Sequence, residues 1–153
     1  MNKALEGDLH RLSKLLLKFK ADAVDTSGFS SLHYASRAGN LEIVKFLVDH
    51  GANVNLLTRS NQSSPLHRAS QQGHRAVVEY LLQSGADSGM QDADGCTPLH
   101  RAALANHSEI CLLLVNHNPH LVQILDSRSR LPQDCCSSST LRKLLNCSSV
   151  LKD

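Results

Sequence analysis

The stretch Asp92-Ala93-Asp94-Gly95-Cys96-Thr97-Pro98-Leu99-His100-Arg101-Ala102-Ala103 places a turn directly before a helix. Asp and Gly favour the turn, because a short carboxylate can bond nearby backbone and Gly accepts positive φ. Thr97 is a good N-cap, its oxygen able to accept from an orphan helical N–H. Pro98 then takes the first helical position, where a missing N–H costs nothing.

The tetrad Thr97-Pro98-Leu99-His100 has two earlier copies, Ser30-Ser31-Leu32-His33 and Ser64-Pro65-Leu66-His67. His33 to His67 is 34 positions, and His67 to His100 is 33. Ala35, Ala69 and Ala102 align, as do Ile43, Val77 and Ile110, then Leu47, Leu81 and Leu114. A period of this length containing two helical stretches means a solenoid, in which each unit buries its apolar face against its neighbours.

Stop signals fall at fixed places in the unit. The first helix ends near Gly39 and Gly73 and the second near Gly51 and Gly85, where a left-handed residue is wanted. In the third unit the equivalents are Asn106 and Asn118, so both are expected in that conformation, with Pro119 reinforcing the second stop.

On these residues the chain resembles the ankyrin-repeat family. The resemblance implies an all-α solenoid of helix-turn-helix units with short hairpin-like turns, and it covers nearly the whole chain. Residues 25–58, 59–91 and 92–125 read as full repeats. Residues 1–24 read as a partial N-terminal repeat, with a helix pair over 2–20. Residues 126–153 read as a degenerate last repeat and tail, because Leu131-Pro132-Gln133-Asp134 falls 34 positions after Thr97-Pro98-Leu99-His100. Atypical ends are expected of a solenoid.

The composition fits. Hydrophobic residues make up 41% and charged residues 20%, a globular balance. Aromatic residues are only 3%, so the core must be built from Leu, Val, Ile and Ala. No apolar run nears the ~20 residues that cross a bilayer, and no signal-peptide segment is expected. Five cysteines without a CxxC pair suggest a reducing compartment, cytoplasmic or nuclear. The sequons at Asn61, Asn106 and Asn146 are expected to be chance matches.

The resemblance implies binding of a partner protein through the turn fingers and the exposed side of each first helix, as a scaffold or adaptor. Mapped here, the candidate contact residues are Phe29, Tyr34 and Arg37, then Asn61, Arg68, Gln71 and Gln72, then Asp94, Arg101 and Leu104. Arg37, Arg68 and Arg101 would form a basic ladder suited to carboxylates or phosphates, so an acidic or phosphorylated protein segment is the expected partner. The competing expectation is that these arginines are ordinary solvated surface, with Glu42 or Asp94 as partners where they pair. The middle finger differs from its neighbours: Arg59 stands where Asp25 and Asp92 stand, Gln62 stands where Gly28 and Gly95 stand, and an extra residue enters between Gly51 and His67.

Catalysis finds little support. His33, His67 and His100 recur once per repeat and are expected to be structural, while His10, His74, His107 and His120 lack ligand spacing. Cys96 is expected on an exposed finger, and Cys111 and Cys136 inside. There is no GxxxxGK[ST], GxSxG or HExxH. No enzyme, cofactor or metal is expected, and a monomer is. Nucleic-acid binding lacks a basic stripe, the net charge being only +2. A substrate-receptor role in a ubiquitin ligase is the alternative binding function, weakened by the short tail after Cys135.

Overall fold

The computed structural model describes the backbone of residues 22–150 and side chains as far as residue 147. The helix pair expected over 2–20 lies outside the described residues. Three helix pairs follow one another: α1 (Ser31–Ala38) with α2 (Leu41–Asp49), α3 (Pro65–Gln72) with α4 (Arg75–Gln83), and α5 (Pro98–Leu104) with α6 (Ser108–His117). Two 3₁₀ turns, Pro119–Gln123 and Pro132–Cys135, lead into α7 (Ser139–Val150). No strand occurs among the described residues; a single bridge pairs Val24 with Ser30.

Helices this short are marginal alone, so packing must hold them. The first helices stack on one another, α1 on α3 and α3 on α5, and the second helices form a parallel layer behind. Leu32, Leu66 and Leu99 fill one layer, and Leu47, Leu81 and Leu114 the other, all fully buried. Past α5 the stack continues onto the 132–135 turn, which α7 covers together with the 119–123 turn and α6.

The repeated histidines bind each unit to the next. Nδ1 of His33 accepts the backbone N–H of Ser30 at 3.1 Å and lies 2.9 Å from the Ser30 hydroxyl. Its Nε2 reaches the Ser63 carbonyl at 3.0 Å. A carbonyl only accepts, so Nε2 carries the proton and the ring is neutral. His67 repeats this with Ser64 and the Cys96 carbonyl, and His100 with Thr97 and the Arg130 carbonyl. Burial pushes all three below the ordinary histidine value, His67 to about 4.

A second set of rings reaches backward. Nε2 of His74 lies 2.9 Å from the Arg37 carbonyl, and Nε2 of His107 lies 3.1 Å from that of Gln71. Gly39 and Gly73 cap α1 and α3 with φ of 73° and 84°. They do more than permit that backbone. A Cβ on Gly73 would stand 2.6 Å from Cε1 of His107, and one on Gly39 would meet the His74 ring in the same way. Asn106 takes the equivalent place with φ 58°, and its own amide fills the space, donating to the Ser137 hydroxyl and accepting from Ser138 N–H.

Asn118 departs from the sequence expectation: φ is −142° and the backbone is extended. Pro119 explains it, since a proline disfavours helical backbone in the residue before it. The Asn118 side chain instead accepts from His120 N–H and starts the first 3₁₀ turn. In the last unit Asp134 occupies the histidine place, and its carboxylate accepts the Leu131 N–H at 2.9 Å.

Candidate functional site

Four fingers line one edge of the stack, and each is tied at its base by one side chain. The Asp25 carboxylate accepts the N–H groups of Ser27 and Phe29, both at 2.9 Å, and the Tyr34 hydroxyl at 2.6 Å. Asp92 accepts Asp94 N–H at 3.0 Å, Cys96 N–H at 3.1 Å and Arg101 Nε at 2.6 Å. Asp126 accepts Arg128 and Arg130 N–H and the Arg130 Nε, all at 2.9 Å. One oxygen holds the loop and the other holds a groove side chain.

The middle finger uses Thr58. Its N–H donates to the Ser63 carbonyl at 3.1 Å, and its hydroxyl accepts Ser63 N–H at 3.0 Å. Thr58, rather than Arg59, therefore stands in the place of Asp25 and Asp92. Thr58 and Asp92 each follow a helix-ending glycine, Gly51 or Gly85, by the same number of residues, so the extra residue lies within the finger, 58–63. Gln62 has φ 50°, the left-handed backbone that Gly28 and Gly95 supply elsewhere. Neighbouring fingers are joined by Arg59 N–H to Ser27 O, Ala93 N–H to Asn61 O and Ser127 N–H to Asp94 O.

Above this edge the candidate residues separate into two groups. Phe29, Tyr34, Asn61 and Arg68 come together. The Arg68 guanidinium lies 4.8 Å over the Phe29 ring, whose centroid is 5.4 Å from that of Tyr34. Nη2 of Arg68 donates to Asn61 Oδ1 at 3.0 Å, an oxygen that also accepts the Thr58 hydroxyl at 2.8 Å. Arg101 and Asp94 form the second group, 2.7 Å apart, beside Leu104, Arg128 and Arg130 around a shallow hollow. Gln71 and Gln72 are exposed on the last turn of α3 without joining either group.

The three-arginine ladder is thus uneven. Arg101 is 18% exposed and pairs with both Asp92, which is fully buried, and Asp94. Burial pulls its pKa down, but the bonds to Asp94 and Asp92 outweigh this and hold it above the ordinary value. The expected Asp94 pairing is found there. Glu42 instead meets Lys45 at 3.4 Å, and no ion pair among the described residues engages Arg37 or Arg68. Burial and the charges of Arg37 and Arg101 lower the Arg68 value. Sequence reasoning missed Thr58, Arg128 and Arg130; counting from each helix-ending glycine would have found the first.

Cys96 corrects another expectation. It is 1% exposed, because its finger turns inward to present the carbonyl that His67 binds. Burial raises its thiol to about 11 and that of Cys111 to about 12, so neither is a reactive thiolate near neutrality. Cys147 is exposed. Among the described residues no cluster of His, Cys, Asp or Glu is placed to hold a metal ion, and no helix is long and apolar enough to cross a membrane.

A family model of ankyrin repeats, spanning three copies, matches residues 1–92 and 55–124. The chain belongs to the ankyrin-repeat family. It is similar to the palmitoyltransferase akr1 of Schizosaccharomyces pombe, 44% identical over 133 residues, which is 84% of this chain and 20% of that protein. It is also similar to human Ankyrin repeat domain-containing protein 39, 39% identical over 56 residues, covering 36% of this chain and 31% of the relative. Rat diacylglycerol kinase iota is 32% identical over 131 residues, 85% of this chain and 9% of the kinase. The chain thus matches only about a third or less of the length of each relative.

Proposed function

We propose that this chain is a non-catalytic module that binds a partner protein along the fingers and the exposed faces of α1, α3 and α5. The observation that carries this is the row of groove side chains left exposed or half-exposed on one face. Tyr34 is 51% exposed and Leu104 40%, and Arg37 makes no ion pair among the described residues. An aromatic ring, an arginine and an apolar side chain on one rigid face are the residue types that dominate protein interfaces. The acidic or phosphorylated segment expected from sequence fits Arg37 and Arg68 rather than Arg101, whose charge is already met.

The activities named for the palmitoyltransferase and the kinase belong to those proteins, and we assign neither to this chain. Service as an adaptor, including the substrate receptor of a ubiquitin ligase, would use the same groove.

The test is affinity capture from lysate with wild type beside two folded variants. One carries Tyr34→Ala, Arg37→Glu and Leu104→Ala in the groove; the other carries Gln83→Ala and Asn116→Ala on the second-helix side. Loss of a specific protein from the groove variant alone is expected. Equal recovery by wild type and groove variant would overturn the proposal.

A further inference from the structure

The third finger shows what an arginine in this position requires. Asp92 has two oxygens: one accepts the loop N–H groups and the other accepts Nε of Arg101. Asp126 divides its oxygens the same way, between the loop and Arg130. In the first finger Asp25 does so with the Tyr34 hydroxyl. Thr58 has one oxygen, and Ser63 N–H takes it. Arg68 therefore has the place of Arg101 without its carboxylate. Among the described residues its buried Nε has no hydrogen-bond partner, and its guanidinium donates to one neutral amide oxygen, that of Asn61.

A half-buried cation without a counter-charge is costly, and two nearby features raise the cost. Arg37 and Arg101 are the like charges that bear on it, and Asp92, paired with Arg101, offsets them without reversing the effect. Phe29 beneath it excludes water on one side while its ring face partly compensates the charge. Charge-assisted pairing between a guanidinium and a carboxylate is the strongest contact such a group can gain.

We propose that Arg68, with Arg37 beside it and Phe29 beneath it, is the receptor for an aspartate or glutamate side chain of a partner polypeptide, taking from outside the carboxylate that Asp92 supplies to Arg101 from within. This rests on the proposed groove and adds the residue chemistry that the partner must present there. A carboxylate fits better than a phosphate dianion, because among the described residues only two guanidinium groups without an ion pair, those of Arg37 and Arg68, bear on the site, and the carboxylate that acts on Arg68, Asp92, is already paired with Arg101. The proposal also singles out one substitution: Thr58→Asp fills the place internally.

The experiment selects a randomised phage-displayed peptide library against the wild-type chain. Enriched sequences are synthesised and titrated against wild type, Thr58→Asp, Arg68→Gln and Gln83→Ala. The enriched sequences should share one acidic position, and binding should weaken about tenfold or more on Thr58→Asp and Arg68→Gln. Gln83→Ala, exposed on the second-helix side and outside the groove, should leave it unchanged. A denaturant melt, in which Thr58→Asp is at least as stable as wild type, separates loss of the site from loss of fold.

Absence of enrichment, enrichment without a fixed acidic residue, or full affinity for Thr58→Asp would each overturn the inference. Peptides in the last two cases that still weaken on Tyr34→Ala or Leu104→Ala would leave the groove proposal standing. Peptides indifferent to every groove substitution would sink both. Replacing the acidic residue by phosphoserine should not tighten binding; a tenfold gain would show that the site is built for phosphate.

Discussion

The middle and third fingers perform the same task with different means. In the third, residues 92–96, an aspartate bonds the loop and locks Arg101, and Gly95 provides the positive φ. In the middle, residues 58–63, a threonine bonds the loop but leaves Arg68 without a counter-ion, and Gln62 is held left-handed at φ 50°. The third finger satisfies its own side chains. The middle finger is one residue longer, strained and electrically incomplete. Solenoid units share a fold requirement but need not share surface chemistry, so such differences collect where a partner would read them.

The comparison breaks most directly at the base residues. Asp92→Ala should destabilise by about 3–5 kcal/mol, because it orphans two loop N–H groups and leaves Arg101 near Asp94 alone. Thr58→Ala, which removes one loop bond and the contact to Asn61, should cost only about 1 kcal/mol in the same denaturant melt. Equal costs would mean that the two fingers are held alike after all.

Acid should act on both fingers through the histidines that bind them. The Ser63 carbonyl of the middle finger is bonded by His33, and the Cys96 carbonyl of the third by His67. Protonating either ring at Nδ1 sets two donors against each other. With His67 lowered from 6.5 to about 4, the unfolded chain binds more protons below its own value. The stabilisation is therefore complete above pH 6.5 and is lost on acidification toward pH 4. For His67 alone the loss is about 3 kcal/mol across that window. A series of melts from neutral to acid pH checks the sign; stability that rises on acidification would refute the neutral tautomer.

Smaller effects sharpen the contrast in backbone. Gln62→Gly should stabilise by about 1 kcal/mol, since a glycine removes the left-handed strain at an exposed position. Gly95→Ala should do the opposite, because its Cβ would stand 2.6 Å from the backbone N of Ser127. The smallest effect is Gln72→Ala, within about 0.5 kcal/mol of wild type, the side chain being exposed and without a role in either finger.

Much of this was legible in the chain itself. The spacing of His33, His67 and His100 carried the period, and the capping residues Ser30, Ser64 and Thr97 carried the helix starts. Asn106 was recognisable as a glycine substitute because its backbone need is local. Asn118 was not, because the proline after it overrode the alignment. Cys96 misled for a different reason: exposure of a turn residue depends on which way its carbonyl must face, and that is fixed by a histidine 29 positions earlier. The unequal state of the three arginines lay beyond pattern altogether. For Arg68 and Arg101 it depends on whether the residue nine or ten positions earlier, Thr58 or Asp92, has a second oxygen to offer.

The rings of His74 and His107 occupying the space beneath Gly39 and Gly73 make the first two joints interchangeable. A duplicated copy of the central unit, inserted between the second and third, would present a glycine to the histidine after it and a histidine to the glycine before it. The third joint refuses such a graft, since Asn106 already fills the socket with its own amide. Lengthening this protein by gene duplication is therefore open in its middle and closed toward its C-terminal side.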